Sequence, residues 1–407
     1  MASIAVQSLR RKTFQWVILC PLRNAPTLQT QINGKGRTAQ REFSNQAGPP
    51  GFGIAFDIDG VLLRGGKPIG GAPRALQQLY ENPPDSAQLR VPYVFLTNGG
   101  GVTEATKAIE LSHQLGVPVS PDQVLLGHSP FKQLVGRFGH KRILAVGKGE
   151  PDVVMKSYGF QQVVHMDSYV NEFDNIDPLA RYKPWLQPPS AKDDMNIPRN
   201  DSEEVAAVFV VSDPVDWGRD LQVICDVLRS GGHPIRGTRG IQTPIYLASD
   251  DLVYQSLFPV PRFGMGAFRI ALEGLYNKLP VDPLIYTTFG KPQTVFYKHA
   301  EQVLQQLQES MVHTPHALAK ELMHGLSFPP PASVDPPKLA PLKTIYMIGD
   351  NPATDIKGAK LAGESWFSIL TRTGVFQDNS EISADKVVED VKEAIDFIAE
   401  REGLQIS

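Results

Sequence analysis

The sequence has few of the residues that build disulfide frameworks, zinc sites and membrane spans. Its 407 residues include two cysteines, Cys20 and Cys225, too few for a disulfide-stapled fold or a four-cysteine zinc site. The nine histidines show no HExxH or other clustered ligand spacing, so a histidine-rich zinc site is not expected. No apolar run is long enough for a bilayer, since FQWVILCPL is short and is interrupted by Gln15 and Pro21. We therefore predict no integral membrane segment.

Acidic residues are absent from the first 41 positions, which carry seven of the 40 lysines and arginines. This segment lacks the periodic apolar residues of a folded nucleic-acid-binding domain, and no nucleic acid partner is expected. An Arg-rich, Ser-containing, acid-free N-terminus is typical of a mitochondrial transit peptide. The stretch REFSNQ, Arg41 to Gln46, also resembles the Arg-x-Phe-Ser pattern of a matrix protease. We predict that residues 1–49 are a transit peptide and disordered linker and that the protein lies in the mitochondrial matrix; a disordered basic tail is the alternative.

The rest of the chain alternates strand and helix patterns. The full chain, with 42% hydrophobic and 20% charged residues, has ordinary globular composition and is long enough for two domains of ordinary size. GIAFDI and VPYVFLTNGGG have strand patterns, and TEATKAIELSHQLG has a helical pattern closed by Gly116. Such alternation predicts an α/β fold with a doubly wound, Rossmann-like parallel sheet. The Pro-rich stretches 183–204 and 325–342 are predicted to be exposed loops.

Complete glycine-rich nucleotide motifs are also absent. VGKGEP and RFGMGAFR each contain Gly-x-Gly. Neither completes GxGxxG, nor GxxxxGK followed by Ser or Thr, and glycine is common at strand ends. We therefore do not interpret either stretch as a cofactor loop.

Polar residues follow four strand or turn patterns along the chain. They are Asp57 and Asp59 in GIAFDIDG, Thr97 and Asn98 in YVFLTNGG, Lys291 in TTFGKPQ, and Asp350, Asn351 and Asp355 in TIYMIGDNPATD. The carboxyl ends of strands in an open parallel sheet meet at one crevice, so we expect these residues to form one site. A calcium-binding EF-hand loop is not expected at DIDG, because Val61 and Leu62 stand where it needs a ligand and a glycine.

These four pieces, in this order, resemble the haloacid dehalogenase (HAD) superfamily. The long gap between Thr97 and Lys291 resembles class II members, in which a cap domain is inserted at that point, and its strand and helix patterns are similar to subclass IIA. PVDWGRDLQVICDVL, PRFGMGAFRIALEGLY and GDNPATDIKGA are similar to a mitochondrial branch of that subclass. The resemblance implies a HAD core domain at 50–118 and 283–407 and an inserted α/β C2A cap at 119–282.

The resemblance also implies a role for each motif residue. Asp57 would be the nucleophile that forms an aspartyl-phosphate, and Asp59 would be the general acid and base. Mg²⁺ would be held by Asp57, Asp350 and the backbone carbonyl of Asp59. Thr97, the backbone N–H of Asn98 and Lys291 would bind the phosphoryl group. Asp355 would orient Lys291 or a metal-bound water, and Asn351 would likewise act without contacting the substrate.

The implied activity is that of a phosphoric monoester phosphatase acting on a small phosphorylated metabolite, with a link to glycerophospholipid metabolism in some relatives. The cap would select the substrate, with the following residues as candidate contacts: Asp213, Asp216, Asp250, Asp251 and Arg262. A phosphomutase and a catalytically weak HAD-fold binding or scaffold protein remain as alternatives. A homo-oligomer formed through the cap also stays open.

Overall fold

The computed structural model describes residues 49–81, 88–183, 203–237, 241–323, 339–376 and 383–404. The predicted transit peptide and linker, apart from residue 49, and most of the predicted loops at 183–204 and 325–342 lie outside these ranges. Within them, no helix is both long and apolar enough to cross a membrane.

The strands are short and follow one another with helices between them. In chain order they are β1 (Phe52–Phe56), β2 (Leu63–Arg64), β3 (Lys67–Pro68), β4 (Tyr93–Thr97), β5 (Val124–Leu126), β6 (Arg142–Val146), β7 (Gln162–His165), β8 (Ala207–Val210), β9 (Ile245–Leu247), β10 (Val253–Tyr254), β11 (Arg262–Phe263), β12 (Thr287–Thr288), β13 (Thr344–Gly349), β14 (Trp366–Thr371) and β15 (Lys386–Val388).

The α-helices of the described residues are α1 (Ala72–Gln77), α2 (Glu104–Leu115), α3 (Val135–Phe138), α4 (Pro151–Ser157), α5 (Met166–Val170), α6 (Trp217–Arg229), α7 (Met265–Tyr276), α8 (Thr294–Met323), α9 (Lys357–Ala362) and α10 (Val391–Glu402). The predicted helix closed by Gly116 is confirmed as α2. Thr103 caps its start by accepting a hydrogen bond from the backbone N–H of Thr106, and Gly116 ends it with a left-handed φ of 66°.

Two parallel sheets organise these elements. The first has the order β15-β14-β13-β1-β4-β5, and the second has the order β12-β9-β8-β6-β7. Every strand pair in both sheets is parallel. The predicted α/β class with a parallel sheet is therefore confirmed. Two antiparallel hairpins, β2–β3 and β10–β11, stand apart from the sheets.

Strand β1 shows why the first sheet forms. All five of its residues are buried, as in a parallel sheet covered on both faces. Ile54 and Phe56 point into one apolar cluster and Ala55 into the other, following the two-residue period of a strand. Full burial of a side chain such as Phe56 contributes about 1.5–3 kcal/mol to stability. This packing fixes the end of the strand from which Asp57 projects.

Strand pairing supports a cap that begins and ends a few residues later than the predicted 119–282. β5 pairs with β4 in the first sheet, and β12 pairs with β9 in the second. Strands of two or three residues are too short to show a readable alternation in the sequence. We therefore propose residues 127–289 as the cap and the remaining described residues as the core domain.

The chain enters and leaves the cap at one place. A Cβ atom at Gly127 would lie 2.5 Å from the carbonyl oxygen of Ala248, and a Cβ at Gly290 would lie 2.5 Å from the same oxygen. Both distances are too short for any side chain. Glycine at these two positions thus allows the two connecting segments to lie against one loop of the cap.

Candidate active site

The predicted site residues meet at the carboxyl ends of three neighbouring strands. Asp57 follows β1, Thr97 ends β4 and Asp350 follows β13, and these strands are adjacent in the first sheet. Lys291 comes from the segment between β12 and α8. Together they line a cavity of about 340 Å³, to which cap residues also contribute. The strand-end pattern in the sequence therefore corresponds to one crevice in the structure.

Lys291 is buried between two carboxylates. Its Nζ atom donates to Oδ1 of Asp57 and to Oδ1 of Asp355, each at 2.6 Å, and its side chain is 3% exposed. Burial alone would lower the pKa of Lys291, but the charges of Asp355 and Asp57 outweigh it and raise the pKa well above its ordinary value. The lysine therefore stays charged next to Asp57.

Three buried carboxylates form a cluster. Oxygen atoms of Asp57, Asp350 and Asp355 lie within 4.8 Å of one another. Burial raises the pKa of Asp350 well above its ordinary value, and the charges of Asp57 and Asp355 raise it further. The positive charge of Lys291 offsets only part of this negative charge. Hard oxygen donors with excess negative charge fit Mg²⁺, so the residues present suit the implied metal.

Two glycines leave room for the Asp350 carboxylate. A Cβ atom at Gly60 would lie 2.4 Å from Oδ2 of Asp350, and one at Gly374 would lie 1.7 Å from the same oxygen. Gly60 also has a left-handed φ of 97°, which favours glycine. The backbone N–H of Val375 donates to this oxygen at 2.7 Å. Backbone close to Asp350 therefore sets the position of its carboxylate.

Asp59 has a different environment from Asp57. It is exposed and faces the cavity, whereas Asp57 is buried. Although the Asp59 side chain is accessible to solvent, the protein atoms around the cavity desolvate it enough to raise its pKa, which the charges of Lys107, Lys291 and Lys148 only partly oppose. A carboxyl group whose pKa is raised keeps its proton to higher pH, which suits a proton donor.

Thr97 and Asn98 form the wall beside Asp59. The Oγ1 atom of Thr97 accepts a hydrogen bond from the backbone N–H of Gly99 at 3.0 Å. The Asn98 side chain holds the backbone of Lys291, because its Oδ1 accepts from Lys291 N at 2.7 Å and its Nδ2 donates to Lys291 O at 3.0 Å. Nδ2 also donates to Oδ2 of Asp251 at 2.9 Å. Asn98 thus ties the lysine segment to a cap residue, a contact that the sequence pattern did not predict.

Asp355 and Asn351 support the cluster. Oδ2 of Asp355 accepts from the backbone N–H of Asn351 at 3.0 Å, while Oδ1 is held by Lys291. Oδ1 of Asn351 accepts from the backbone N–H of Ala353 at 3.0 Å and so caps the π-helical turn Pro352–Ile356. With both its oxygens engaged, Asp355 is placed to orient Lys291.

The five cap residues named from the sequence divide into two groups. Asp213 and Asp251 line the cavity. Asp213 pairs with Lys148 at 2.8 Å, and burial raises the pKa of Asp251 to about 7 despite the Lys291 charge and the hydrogen bond from Asn98.

The other three named cap residues lie outside the cavity lining. Asp216 caps α6 by accepting from the backbone N–H of Arg219 at 3.3 Å, and Asp250 pairs with Arg269 at 2.9 Å. Arg262 is exposed on β11. Helix capping and ion pairing within the cap thus account for Asp216 and Asp250.

The cavity also contains residues that the sequence pattern did not single out. Lys148 follows β6, and cap residues Ser249, Tyr254, Gln255 and Ser256 line the same space. Lys148 is the lysine of VGKGEP, which does not complete a phosphate-loop motif. Applying the strand-end argument to the cap sheet as well as to the core sheet would have found it, because β6 ends at the cavity.

Two family models match the chain. Residues 54–161 match the haloacid dehalogenase-like hydrolase model, and residues 288–394 match the HAD-hydrolase-like model. A protein named mitochondrial hydrolase from Saccharomyces cerevisiae is 35% identical over 350 residues, which is 84% of this chain and 94% of that protein. A fusion of cardiolipin synthase (CMP-forming) and mitochondrial hydrolase from Schizosaccharomyces pombe is 32% identical over 375 residues. That alignment takes in 88% of this chain and 56% of the fusion protein.

Solved structures share the fold at lower identity. A hypothetical protein from Pyrococcus horikoshii is 21% identical with a TM-score of 0.51, covering 85% of this chain and 99% of that one. A 4-nitrophenylphosphatase from Thermotoga maritima is 18% identical with a TM-score of 0.51, covering 86% and 97%. A glycerol phosphate phosphatase from Mycobacterium tuberculosis, in complex with magnesium, is 17% identical with a TM-score of 0.50, covering 84% and 76%. The relative from Saccharomyces cerevisiae, the two family matches and the predicted motif order lead to one conclusion. The chain belongs to the haloacid dehalogenase-like hydrolases.

Proposed function

We propose that this chain is a Mg²⁺-dependent phosphatase that hydrolyses small phosphoric monoesters in mitochondria through an aspartyl-phosphate. The observation that carries the proposal is the arrangement around Asp57. A buried lysine contacts its carboxylate at 2.6 Å, two further carboxylates lie beside it, and Asp59 faces the cavity two residues away. A nucleophile with an adjacent cation and a separate proton donor is what phosphoryl transfer through a carboxylate requires.

The two carboxyl groups of DIDG would divide the reaction between them. An oxygen of Asp57 bonds to phosphorus while the bond from phosphorus to the leaving oxygen breaks, and Asp59 gives that oxygen its proton. Asp59, now a carboxylate, takes a proton from the water that attacks phosphorus, and the bond to Asp57 breaks. Lys291 and Thr97 stabilise the charge on the phosphoryl oxygens in both steps. The contact of Lys291 with the Asp57 carboxylate at 2.6 Å and the position of Asp59 on the cavity lining support this assignment.

The metal would be held by Asp57, Asp350 and the backbone carbonyl of Asp59. When bound, Mg²⁺ supplies positive charge that offsets the charge of the phosphoryl group. Asp355 is less suited as a ligand, because Lys291 and the backbone of Asn351 engage its two oxygens. Asp355 and Asn351 would instead hold the lysine and the turn in place.

The cap side of the cavity suits a leaving group that carries hydroxyls. Ser249, Gln255 and Ser256 are uncharged hydrogen-bonding residues, and about 340 Å³ holds a small metabolite. A relative fused to cardiolipin synthase, and a structural neighbour named glycerol phosphate phosphatase, support a glycerol-containing phosphomonoester of glycerophospholipid metabolism. The relatives named mitochondrial hydrolase support a mitochondrial location, which we assign to the matrix.

A substrate panel tests the proposed activity. The chain from Ser44 onward is incubated with glycerol phosphates, other phosphorylated metabolites and 4-nitrophenyl phosphate, with and without Mg²⁺, and beside the Asp57→Asn variant. We expect Mg²⁺-dependent release of inorganic phosphate by the wild type alone. Turnover across the whole panel no higher than that of Asp57→Asn would contradict a phosphatase and favour a binding protein. Transfer of phosphate within the substrate, without its release, would identify a phosphomutase.

The role of Asp59 is tested by leaving-group dependence. Asp59→Asn cannot protonate the leaving oxygen, so kcat for alkyl phosphates should fall by about 100-fold to 10,000-fold. The fall for 4-nitrophenyl phosphate should be much smaller in its first step, because nitrophenolate leaves without a proton. Single-turnover rates with both esters provide the measurement. Equal losses for the two esters would show that Asp59 acts in some other way.

A further inference from the structure

The mouth of the active-site cavity carries a cluster of exposed apolar side chains. They belong to the β10–β11 hairpin and the loop that joins its strands. Leu257 is 73% exposed, Phe258 55%, Val260 57% and Phe263 69%. We call these four residues the apolar rim. Exposed apolar residues grouped within one hairpin mark a surface that binds something.

The apolar rim lies directly at the entrance to the site. Residues 253–256 of the same hairpin line the cavity, as does Gly65 of the β2–β3 hairpin. A Cβ atom at Gly65 would lie 2.1 Å from Cδ2 of Leu257, so the tip of the cap hairpin rests on the core hairpin. The two hairpins together form one edge of the cavity that contains Asp57.

The charged residues within the two hairpins are all basic, although Asp390 packs against Gly70 after the β2–β3 hairpin. Residues 60–71 and 252–264 contain no aspartate or glutamate, and their cations are Arg64, Lys67 and Arg262. All three are exposed. The guanidinium of Arg262 lies 4.8 Å from the ring centroid of Phe258. Aromatic and aliphatic side chains flanked by basic residues are typical of protein surfaces that bind the interface of an anionic membrane.

We propose that the apolar rim docks on the surface of an anionic bilayer and presents the cavity to phosphomonoesters at that surface. This inference rests on the proposed function for its substrate, while the docking itself is independent of turnover. A second copy of the chain is a less suitable occupant, because a two-fold contact would bring Arg262, Lys67 and Arg64 of both copies together without an acid between them. Anionic lipid headgroups supply the complementary charge.

Vesicle sedimentation tests the docking. The full chain and the chain from Ala47 are each mixed with phosphatidylcholine vesicles, with and without phosphatidylglycerol. Both forms are needed because the seven cations of residues 1–41 would themselves bind anionic vesicles. The variants are Leu257→Glu with Phe258→Glu, and Arg262→Glu. Their matched controls are Ile285→Glu, at a residue that is 75% exposed, and Lys141→Glu, whose Nζ lies 5.7 Å from the ring centroid of Phe138. Both control residues precede strands of the cap sheet, at the end opposite the cavity.

We expect the chain from Ala47 to sediment with phosphatidylglycerol vesicles and only weakly with phosphatidylcholine alone. The double variant should bind at least about tenfold more weakly and Arg262→Glu about fivefold more weakly, while both controls bind like the wild type. Thermal unfolding verifies the fold, and Arg262→Glu decides the outcome if the double variant is unfolded. Equal binding by every variant, or a dimer that the rim variants dissociate in lipid-free solution, would overturn the docking proposal. Vesicle binding without phosphatase activity would contradict the proposed function alone.

Discussion

The position of the Asp350 carboxylate depends on two glycines that lie beside it. Its Oδ2 atom would lie 1.7 Å from a Cβ at Gly374 and 2.4 Å from a Cβ at Gly60. The N–H of Val375, the residue after Gly374, donates to the same oxygen. The loop after β14 therefore fixes this carboxylate by backbone alone, and a side chain there would displace it.

Gly374→Ala should weaken Mg²⁺ binding by about 10- to 100-fold, the usual effect of disturbing the support of a metal ligand. The rise in unfolding temperature with Mg²⁺ concentration measures this affinity without relying on turnover. Gly136→Ala is the matched control, because nothing lies within 4 Å of a Cβ at that position. A Gly374→Ala variant with the wild-type response to Mg²⁺ would show that the loop after β14 accommodates the added methyl group without displacing the Asp350 carboxylate.

At the residue scale, the sequence predicts the acids and the lysine but not how they are held. Asp57, Thr97 and Asp350 each end a readable apolar strand, so the topology of a parallel sheet is enough to bring them together. The side-chain hydrogen bonds of Asn98 to Lys291 and Asp251 depend on tertiary contacts across 193 and 153 positions of the chain. Spacing in the sequence cannot show such contacts. The capping role of Asp216 could have been found in the sequence, because an aspartate directly before a helical pattern is a common N-cap.

At the element scale, one buried glutamate joins the core domain to the cap. Glu104 begins α2, and its Oε1 atom accepts from the hydroxyls of Ser129 at 2.8 Å and Tyr158 at 2.7 Å. Lys132 Nζ lies 2.9 Å from the same oxygen. Burial alone would raise the pKa of Glu104, but Lys132 and the Tyr158 hydroxyl outweigh it and lower the pKa. The ionised carboxylate therefore stabilises the contact between α2 and the start of the cap.

Glu104→Gln should lower the free energy of unfolding at pH 7 by about 1–3 kcal/mol, because it weakens charge-assisted hydrogen bonds in a buried place. A lowered folded-state pKa means that this stability is present above the unfolded value of about 4.3 and is lost as the pH falls through the folded value. The difference between wild type and variant should therefore stay constant from pH 7 down to about 5 and shrink as the pH falls below about 4.3. Urea unfolding at a series of pH values from 7 to below about 4.3 measures this change.

The matched control on the same helix is Glu110→Gln. Glu110 pairs with Lys107 at 3.2 Å, and its side chain is 43% exposed. Exposed pairs of this kind contribute about 0.2–1 kcal/mol, so the control should change stability little at any pH. A loss for Glu104→Gln that is no larger than the control, or that stays constant with pH, would disprove the role assigned to Glu104.

The elements that the sequence predicts best are the long, periodic ones. Helix α2 follows the predicted helical pattern and ends at the predicted Gly116. The hairpins β2–β3 and β10–β11 have strands of two residues, which carry no readable period. Their positions follow from contacts such as that of Leu257 with Gly65. The two hairpins at the cavity were therefore less predictable from the sequence than the strand-end residues Asp57, Thr97 and Asp350.

At the scale of the whole molecule, the uneven distribution of charge along the chain predicts a mitochondrial location. Residues 1–41 carry seven cations and no acid, which favours import toward a negative interior. A fluorescent fusion lacking residues 1–43 should lose its mitochondrial signal, and residues 1–43 alone should direct the fluorescent protein to mitochondria. Fluorescence microscopy with a mitochondrial dye provides the measurement. Mitochondrial targeting that persists without residues 1–43 would contradict the presequence assignment.

Gly127 and Gly290 both lie against the carbonyl of Ala248. The cap, which would select the substrate, can therefore change in evolution independently of the catalytic residues of the core. Residues 127–289 form one continuous stretch whose two ends adjoin, so a single exchange of sequence replaces the cap side of the cavity, including Lys148, Ser249 and Gln255. Asp57, Thr97, Lys291 and Asp350 keep their core neighbours in such an exchange. The hydrogen bond from Asn98 to Asp251 and the contact of Leu257 with Gly65 are among the contacts that a newly acquired stretch has to rebuild. A lineage can thus try new substrates while the reaction centre stays as it was.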